Sequence, residues 1–123
     1  MKKKILIVED EFIIAEDLRV TIEDFGYEVI KILPSSDEVI DFLKQNSFKL
    51  DLVLLDIKIE GSMNGIELAK IIKDNYKIPV VFCTAYHGAE VDKLKQELGI
   101  DIVRKPFLEF ILKDTIDAAL KKI

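Results

Sequence analysis

Leu52-Val53-Leu54-Leu55-Asp56 is four apolar residues closed by a carboxylate. A run of strand length with no polar residue on either alternating set suits a strand buried on both faces, and such strands belong to parallel sheets. Outward from it lie further short apolar runs at Ile5 to Val8, Val29 to Leu33, Val80 to Phe82 and, more weakly, Ile100 to Val103. Between the runs, apolar residues recur three and four apart: Ile14, Leu18, Ile22 and Phe25; Val39, Ile40, Phe42 and Leu43; Ile66, Leu68, Ala69 and Ile72. That spacing marks one face of a helix. A short helix through Val91, Leu94 and Leu98 follows Gly88, and a last stripe runs through Leu108, Leu112, Ile116, Ala119 and Leu120. Pro106 is expected to open this last helix, because its missing N–H would be unpaired in a first turn. Ser35-x-x-Glu38 and Asn64-x-x-Glu67 read as helix starts, and Gly26 and Gly99 as helix stops. The pattern is β-α five times, which requires crossovers and a parallel sheet covered on both faces.

Composition bounds the rest. Half of the 123 residues are apolar and 33% are charged, with 18 Lys plus Arg against 23 Asp plus Glu for a net charge of -5. Such a chain can offset the entropy of ordering, so intrinsic disorder is excluded as its main state. The length suits one core, and one domain over residues 1–123 is expected. The acidic balance argues against a duplex-binding surface, which would need a clustered Lys/Arg excess. The single Cys83 forms no internal disulfide and points to a reducing compartment. Lys2 to Lys4 are followed by only four apolar residues before three acids, too few for an export signal. No segment approaches the roughly 20 apolar residues of a membrane span. The expectation is a cytoplasmic protein that contacts neither membrane nor nucleic acid.

In an open parallel sheet, sites form beyond the carboxyl ends of the strands. The residues there are Glu9, Asp10 and Glu11 after the first run, Asp56 after the third, Thr84 after the fourth and Lys105 after the fifth. With the first and third strands adjacent, Glu9, Asp10 and Asp56 would crowd like charges, which is unfavourable without a proton or a cation. Oxygen ligands in a shallow site favour Mg²⁺, which keeps several waters. A divalent ion beside one ammonium and one hydroxyl makes a place for a phosphoryl group.

Ile5-Leu6-Ile7-Val8-Glu9-Asp10-Glu11, Leu54-Leu55-Asp56 with Asn64-Gly65, Thr84-Ala85 and Lys105-Pro106-Phe107 together resemble the receiver domain of two-component response regulators. The resemblance spans essentially the whole chain. It implies an α/β fold, a doubly wound five-stranded parallel sheet of order 2-1-3-4-5, flavodoxin-like or CheY-like. Asp56 then matches the phosphoacceptor that attacks a phosphohistidine, on a sensor histidine kinase or phosphotransfer protein. Asp10 matches a direct Mg²⁺ ligand, Glu9 one that acts directly or through water, and the backbone carbonyl of Lys58 the third. Lys105 matches the lysine that pairs with the acceptor carboxylate, and Thr84 the hydroxyl that moves to the phosphoryl. The Lys105-Pro106 bond is expected to be cis. Such a module catalyses its own phosphorylation and dephosphorylation without being a free-standing enzyme, acts on a downstream protein, and is a monomer or a weak phosphorylation-linked dimer.

Departures from the family pattern carry their own expectations. Glu60 stands where a Pro is common, and Asn64-Gly65 arrives one residue late, so a longer, more mobile loop with Gly61 supplying flexibility is expected. The stretch Asp56-Ile57-Lys58-Ile59-Glu60-Gly61 resembles receivers with Asp-Ile-x-Ile/Leu-x-Gly here. Lys58 is either a solvated loop lysine or a tuner of acyl-phosphate lifetime, and Tyr86 either screens the site or packs on it. Ile102 occupies the place of an aromatic that turns inward on activation, leaving output to Tyr86, to a backbone shift at Thr84 or to the loop. His87 reads as a surface or cap residue and Cys83 as a small buried hydrophobe. Alternatives are a degenerate receiver acting as a phosphorylation-independent interaction surface, a flavodoxin-like cofactor carrier, whose ligand phosphate Glu9-Asp10-Glu11 would repel, and an aspartyl-phosphate hydrolase, whose paired acids follow its first strand.

Overall fold

A computed structural model of the chain describes residues 1–86 and 88–121, so the expectation for His87 lies outside the described residues. The elements run β1 (Lys4–Val8), α1 (Phe12–Asp24), β2 (Glu28–Leu33), α2 (Ser36–Asn46), a 3-10 turn (Ser47–Lys49), β3 (Leu52–Leu55), α3 (Gly65–Tyr76), β4 (Val80–Thr84), α4 (Ala89–Leu98), β5 (Asp101–Arg104) and α5 (Glu109–Lys121). The five strands form one parallel sheet ordered β2-β1-β3-β4-β5. The α/β class, the parallel sheet and the strand order are those the sequence led us to expect.

All four residues of β3 are buried, and they alternate between two cores. Val53 and Leu55 join Leu6, Val8 and Phe82 against Val39 and Leu43 of α2, Leu68 and Ile72 of α3, and Val91 and Leu94 of α4. Leu52 and Leu54 join Ile5, Ile7, Val81 and Val103 against Leu18 and Ile22 of α1 and Leu112 and Ile116 of α5. The period of two in a strand sends successive side chains to opposite faces, which is why a polar residue has no place in β3. Cys83 is a buried member of the α1/α5 core, as expected of a small hydrophobe.

The helix ends follow local chemistry. Asn64 and Glu67 form a complete capping box: Asn64 Oδ1 accepts the Glu67 N–H at 2.9 Å and Glu67 Oε1 accepts the Asn64 N–H at 3.1 Å. Ser35 forms only half of one, its Oγ accepting the Glu38 N–H at 3.3 Å and donating to the Glu38 carboxylate. Gly99 caps α4 at φ +66°, and Gly26 follows α1 at φ +100°. The end of α3 has no glycine; Lys77 itself takes the left-handed conformation there.

Pro106 does not open the last helix. The Lys105-Pro106 bond is cis, as expected, but α5 begins only at Glu109, and Leu108 is exposed ahead of it. The stripe that buries α5 starts at Leu112. Among the described residues, no helix is long and apolar enough to cross a membrane.

Candidate functional site

The parallel order sets the carboxyl ends of β1, β3, β4 and β5 side by side, with Val8 opposite Leu55, Leu55 opposite Phe82, and Thr84 opposite Arg104. The residues that follow these strands therefore meet although they are up to 96 apart in sequence. Lys105 is placed by its own N–H, which donates to the Thr84 carbonyl at 2.9 Å. Its ammonium donates to Asp56 Oδ2 at 2.9 Å and to Glu9 Oε1. All three side chains are nearly out of water, at 11% exposure for Lys105, 11% for Asp56 and 1% for Glu9. The other oxygens are also engaged. Asp56 Oδ1 accepts the Lys58 N–H and Glu9 Oε2 the Glu11 N–H, both at 3.2 Å.

Burial and pairing work against each other in this triad. Desolvation pushes the Glu9 carboxyl above its ordinary range, and the Asp56 charge adds to that, while the hydrogen bonds from Lys105 and Glu11 hold it back. For Lys105, burial alone would lower the ammonium's pKa, but its hydrogen bonds to Glu9 and Asp56, with their charges, leave it raised. Lys105 is thus firmly cationic. One ammonium bridges two buried carboxylates at the edge of the sheet.

Asp10 stands apart from the triad as an exposed residue. It lines a cavity of about 490 Å³ together with Lys58, Asn64 and Tyr86, among others. Among the described residues, no three His, Cys, Asp or Glu side chains are gathered tightly enough to hold a metal ion between them. Mg²⁺ does not require such a cage, because it is commonly held by one or two carboxylates with water completing the octahedron. The donors present are hard oxygens, so the residues fit that ion.

Thr84 ends β4 fully buried, and its Oγ accepts the Tyr86 N–H at 3.1 Å. Tyr86 is half-buried at the rim; the Lys58 ammonium lies 4.9 Å from the centre of its ring. Its carbonyl accepts from Arg104, which also pairs with Asp92 of α4. Arg104 was passed over in the sequence because nothing in its local spacing marks it. Ile102 is partly buried against the α2–α4 core.

The loop after Asp56 corrects an expectation: it is fastened, not loose. The Ser36 N–H donates to the Glu60 carbonyl at 2.9 Å, and Ser35 and Glu60 form a parallel bridge. The Met63 N–H donates to Ser36 Oγ at 3.2 Å, and Ser62 donates to Asp37 through its N–H at 3.1 Å and its hydroxyl at 2.6 Å. Gly61 supplies close approach instead of flexibility. At its φ of +116°, a β-carbon would stand 2.9 Å from the Ser36 nitrogen and closer still to its hydroxyl. Gly65 serves the other end. Its N–H donates to the Ile57 carbonyl at 2.8 Å, and a β-carbon there would lie 2.6 Å from Ile57 Cα and inside the Asp56 carbonyl oxygen.

Comparison with known proteins agrees with this architecture. The family model described as the response regulator receiver domain matches residues 5–117. The chain is 32% identical to the transcriptional regulatory protein CitT of Halalkalibacterium halodurans over 97% of its own length and 53% of that protein's. It is 36% identical to the transcriptional regulatory protein YvrH of Bacillus subtilis over 96% of its length and 49% of that protein's. The chain thus spans about half the length of these curated relatives. A crystal structure of a response regulator receiver domain protein from Clostridium thermocellum superposes with a TM-score of 0.86 at 25% identity, covering 98% of this chain and 95% of that one. With the strand order, the helices on both faces and the buried Asp56–Lys105–Glu9 triad at the carboxyl edge, these matches show that the chain belongs to the response regulator receiver domains of two-component systems.

Proposed function

We propose that Asp56 is the phosphoacceptor of this receiver and that it takes a phosphoryl group from a phosphohistidine on a sensor histidine kinase or phosphotransfer protein. The observation that carries the reading is the Lys105 ammonium bonded to both Asp56 and Glu9 in a nearly dry setting. In the transfer an Asp56 carboxylate oxygen attacks phosphorus, an O–P bond forms, the P–N bond breaks, and its electron pair returns to the imidazole. Little covalent work is left to the protein beyond positioning and charge balance. The Lys58 N–H and the Lys105 ammonium fix the carboxylate plane from its two oxygens. Lys105 then offsets the charge gathering on the phosphoryl oxygens. Thr84, whose Oγ accepts from Tyr86, keeps a hydroxyl proton to donate to a phosphoryl oxygen.

Asp10, Asp56 and the Lys58 carbonyl would hold Mg²⁺, with Glu9 acting directly or through water; the ion, when bound, supplies charge neutralisation at the phosphoryl oxygens. Phe12 and Ile13, just after Glu11, and Leu108 and Phe110, just after Lys105-Pro106, leave large apolar side chains in water on segments leading away from this edge. Such residues beside a reactive site suit a protein partner. A kinase donor places the chain in the cytoplasm, where it acts as a phosphoprotein with self-catalysed turnover and passes its state to a downstream protein.

Beryllofluoride, which stands in for a phosphoryl group on a carboxylate, tests the reading by amide chemical shifts. With Mg²⁺ present, resonances of Asp56, Lys58, Thr84 and Lys105 shift in the unmodified chain and stay in place in Asp56→Ala. A chain whose shifts ignore beryllofluoride, or respond equally without Asp56, would make this a phosphorylation-independent interaction domain.

A further inference from the structure

The eight residues 57–64 between the acceptor and α3 are fastened at three places. At the start, the Lys58 N–H is bonded to Asp56. At the end, Asn64 and Gly65 are locked by the capping box and by the Gly65 bond to the Ile57 carbonyl. In the middle, residues 60–63 are clasped to the first turn of α2 by Ser36 and Asp37. The Asp37 carboxylate uses one oxygen for the Ser62 N–H and the other for the Ser62 hydroxyl. Lys58 lies only two residues before Glu60, so its main-chain N–H and carbonyl cannot move far while the clasp holds.

We propose that Asp37 is a positioning residue for the chemistry at Asp56, acting through Ser62 and the clasped loop on the backbone of Lys58. Ordering each loop residue costs backbone entropy, so an eight-residue loop without these bonds would sample many positions for the Lys58 N–H. The clasp removes that freedom before a phosphoryl group arrives. The linkage is reciprocal: if addition to Asp56 displaces Lys58, the first turn of α2 must respond. Asp37 also sits favourably in the first turn of a helix, where a negative charge meets the helix dipole, and the experiment separates that role from the proposed one.

The inference rests on the phosphoacceptor reading, and two readouts keep their failures apart. Hydrogen exchange of the Lys58 amide is followed in the unloaded chain, and beryllofluoride affinity is measured by titration with Mg²⁺, in Asp37→Ala, Ser62→Ala, Ser62→Thr and Glu38→Ala. Ser62→Ala is an exposed loop change that leaves the fold in place. Glu38→Ala removes a first-turn charge of α2, and its bond from the Ser35 hydroxyl, while leaving the Asp37–Ser62 bonds in place. Losing a hydrogen bond worth about 0.5–1.5 kcal/mol corresponds to about a two- to tenfold change. Faster Lys58 exchange and weaker beryllofluoride binding are expected by that factor in Ser62→Ala, which loses one bond, and by at least that factor in Asp37→Ala, which loses two, with Ser62→Thr and Glu38→Ala like the unmodified chain. Unaltered exchange and affinity in Asp37→Ala and Ser62→Ala would overturn the proposal, as would an equal loss in Glu38→Ala. An unmodified chain that does not bind beryllofluoride removes the phosphoacceptor reading, and Lys58 exchange then still decides whether Asp37 holds the loop.

Discussion

Glu9, Lys105 and Cys83 lie within one electrostatic neighbourhood, and desolvation is the largest influence on each. Lys105 escapes it because two carboxylates bond to it. Cys83 is pushed up from 9.0 to about 12 by burial at the end of β4, which outweighs the opposing pull of the Lys105 charge, with the Asp56 and Glu9 charges adding to the rise. Two consequences follow for Cys83. In the folded chain it resists alkylation at pH 8, whereas denaturant exposes a thiol that reacts at an ordinary rate; rapid labelling of the native protein would contradict its burial. The folded pKa is above the unfolded one, so the thiol's contribution is fully present below pH 9 and is lost as pH rises from about 9 to about 12. The stability difference between the unmodified chain and Cys83→Ala, measured by denaturant unfolding, should therefore shrink over that interval. A difference that holds constant would show that the thiol titrates alike in both states.

Between β3 and α3 a single glycine governs how closely two elements approach. The Gly65 α-carbon faces the backbone of Asp56 and Ile57, which cannot swing aside as a side-chain tip could. Gly65→Ala is expected to destabilise by about 1–3 kcal/mol, the usual cost of forcing extra volume into a packed site. Asn64→Ala, which removes the cap alone, should cost about 1 kcal/mol. Denaturant midpoints check both; a Gly65→Ala chain as stable as the unmodified one would mean that α3 can retreat from the loop. The Asn64-x-x-Glu67 box was legible because both partners lie within one turn of chain. The clasp was not, since Ser62 and Asp37 are 25 residues apart and only the folded sheet brings α2 beside the loop. Gly61 looked like a source of mobility for the same reason: its neighbour, Ser36, is distant in sequence. Pro106 misled because proline suits a bend before a helix as well as its first turn.

At the scale of the whole molecule, the fold was legible because β3 is uniformly apolar and alternates with helices of clear periodicity, a pattern for which few topologies remain. The pairing of Lys105 with Asp56 was legible once the parallel order was accepted, because every strand then delivers its following residue to one edge. The placing of Asp10 away from the Glu9–Lys105–Asp56 triad was not, because adjacency in sequence says nothing about which of two neighbouring side chains turns inward after a strand ends. Leu108 reads as part of the last helix stripe in the sequence, and only the folded chain shows it facing water, as Phe12, Ile13 and Phe110 also do. The central claim is that this assembly exists to load a phosphoryl group on one carboxylate. Intact-mass analysis after incubation with acetyl phosphate and Mg²⁺ measures that directly. The account predicts one added phosphoryl group on the unmodified chain and none on Asp56→Ala; equal labelling of both would contradict it.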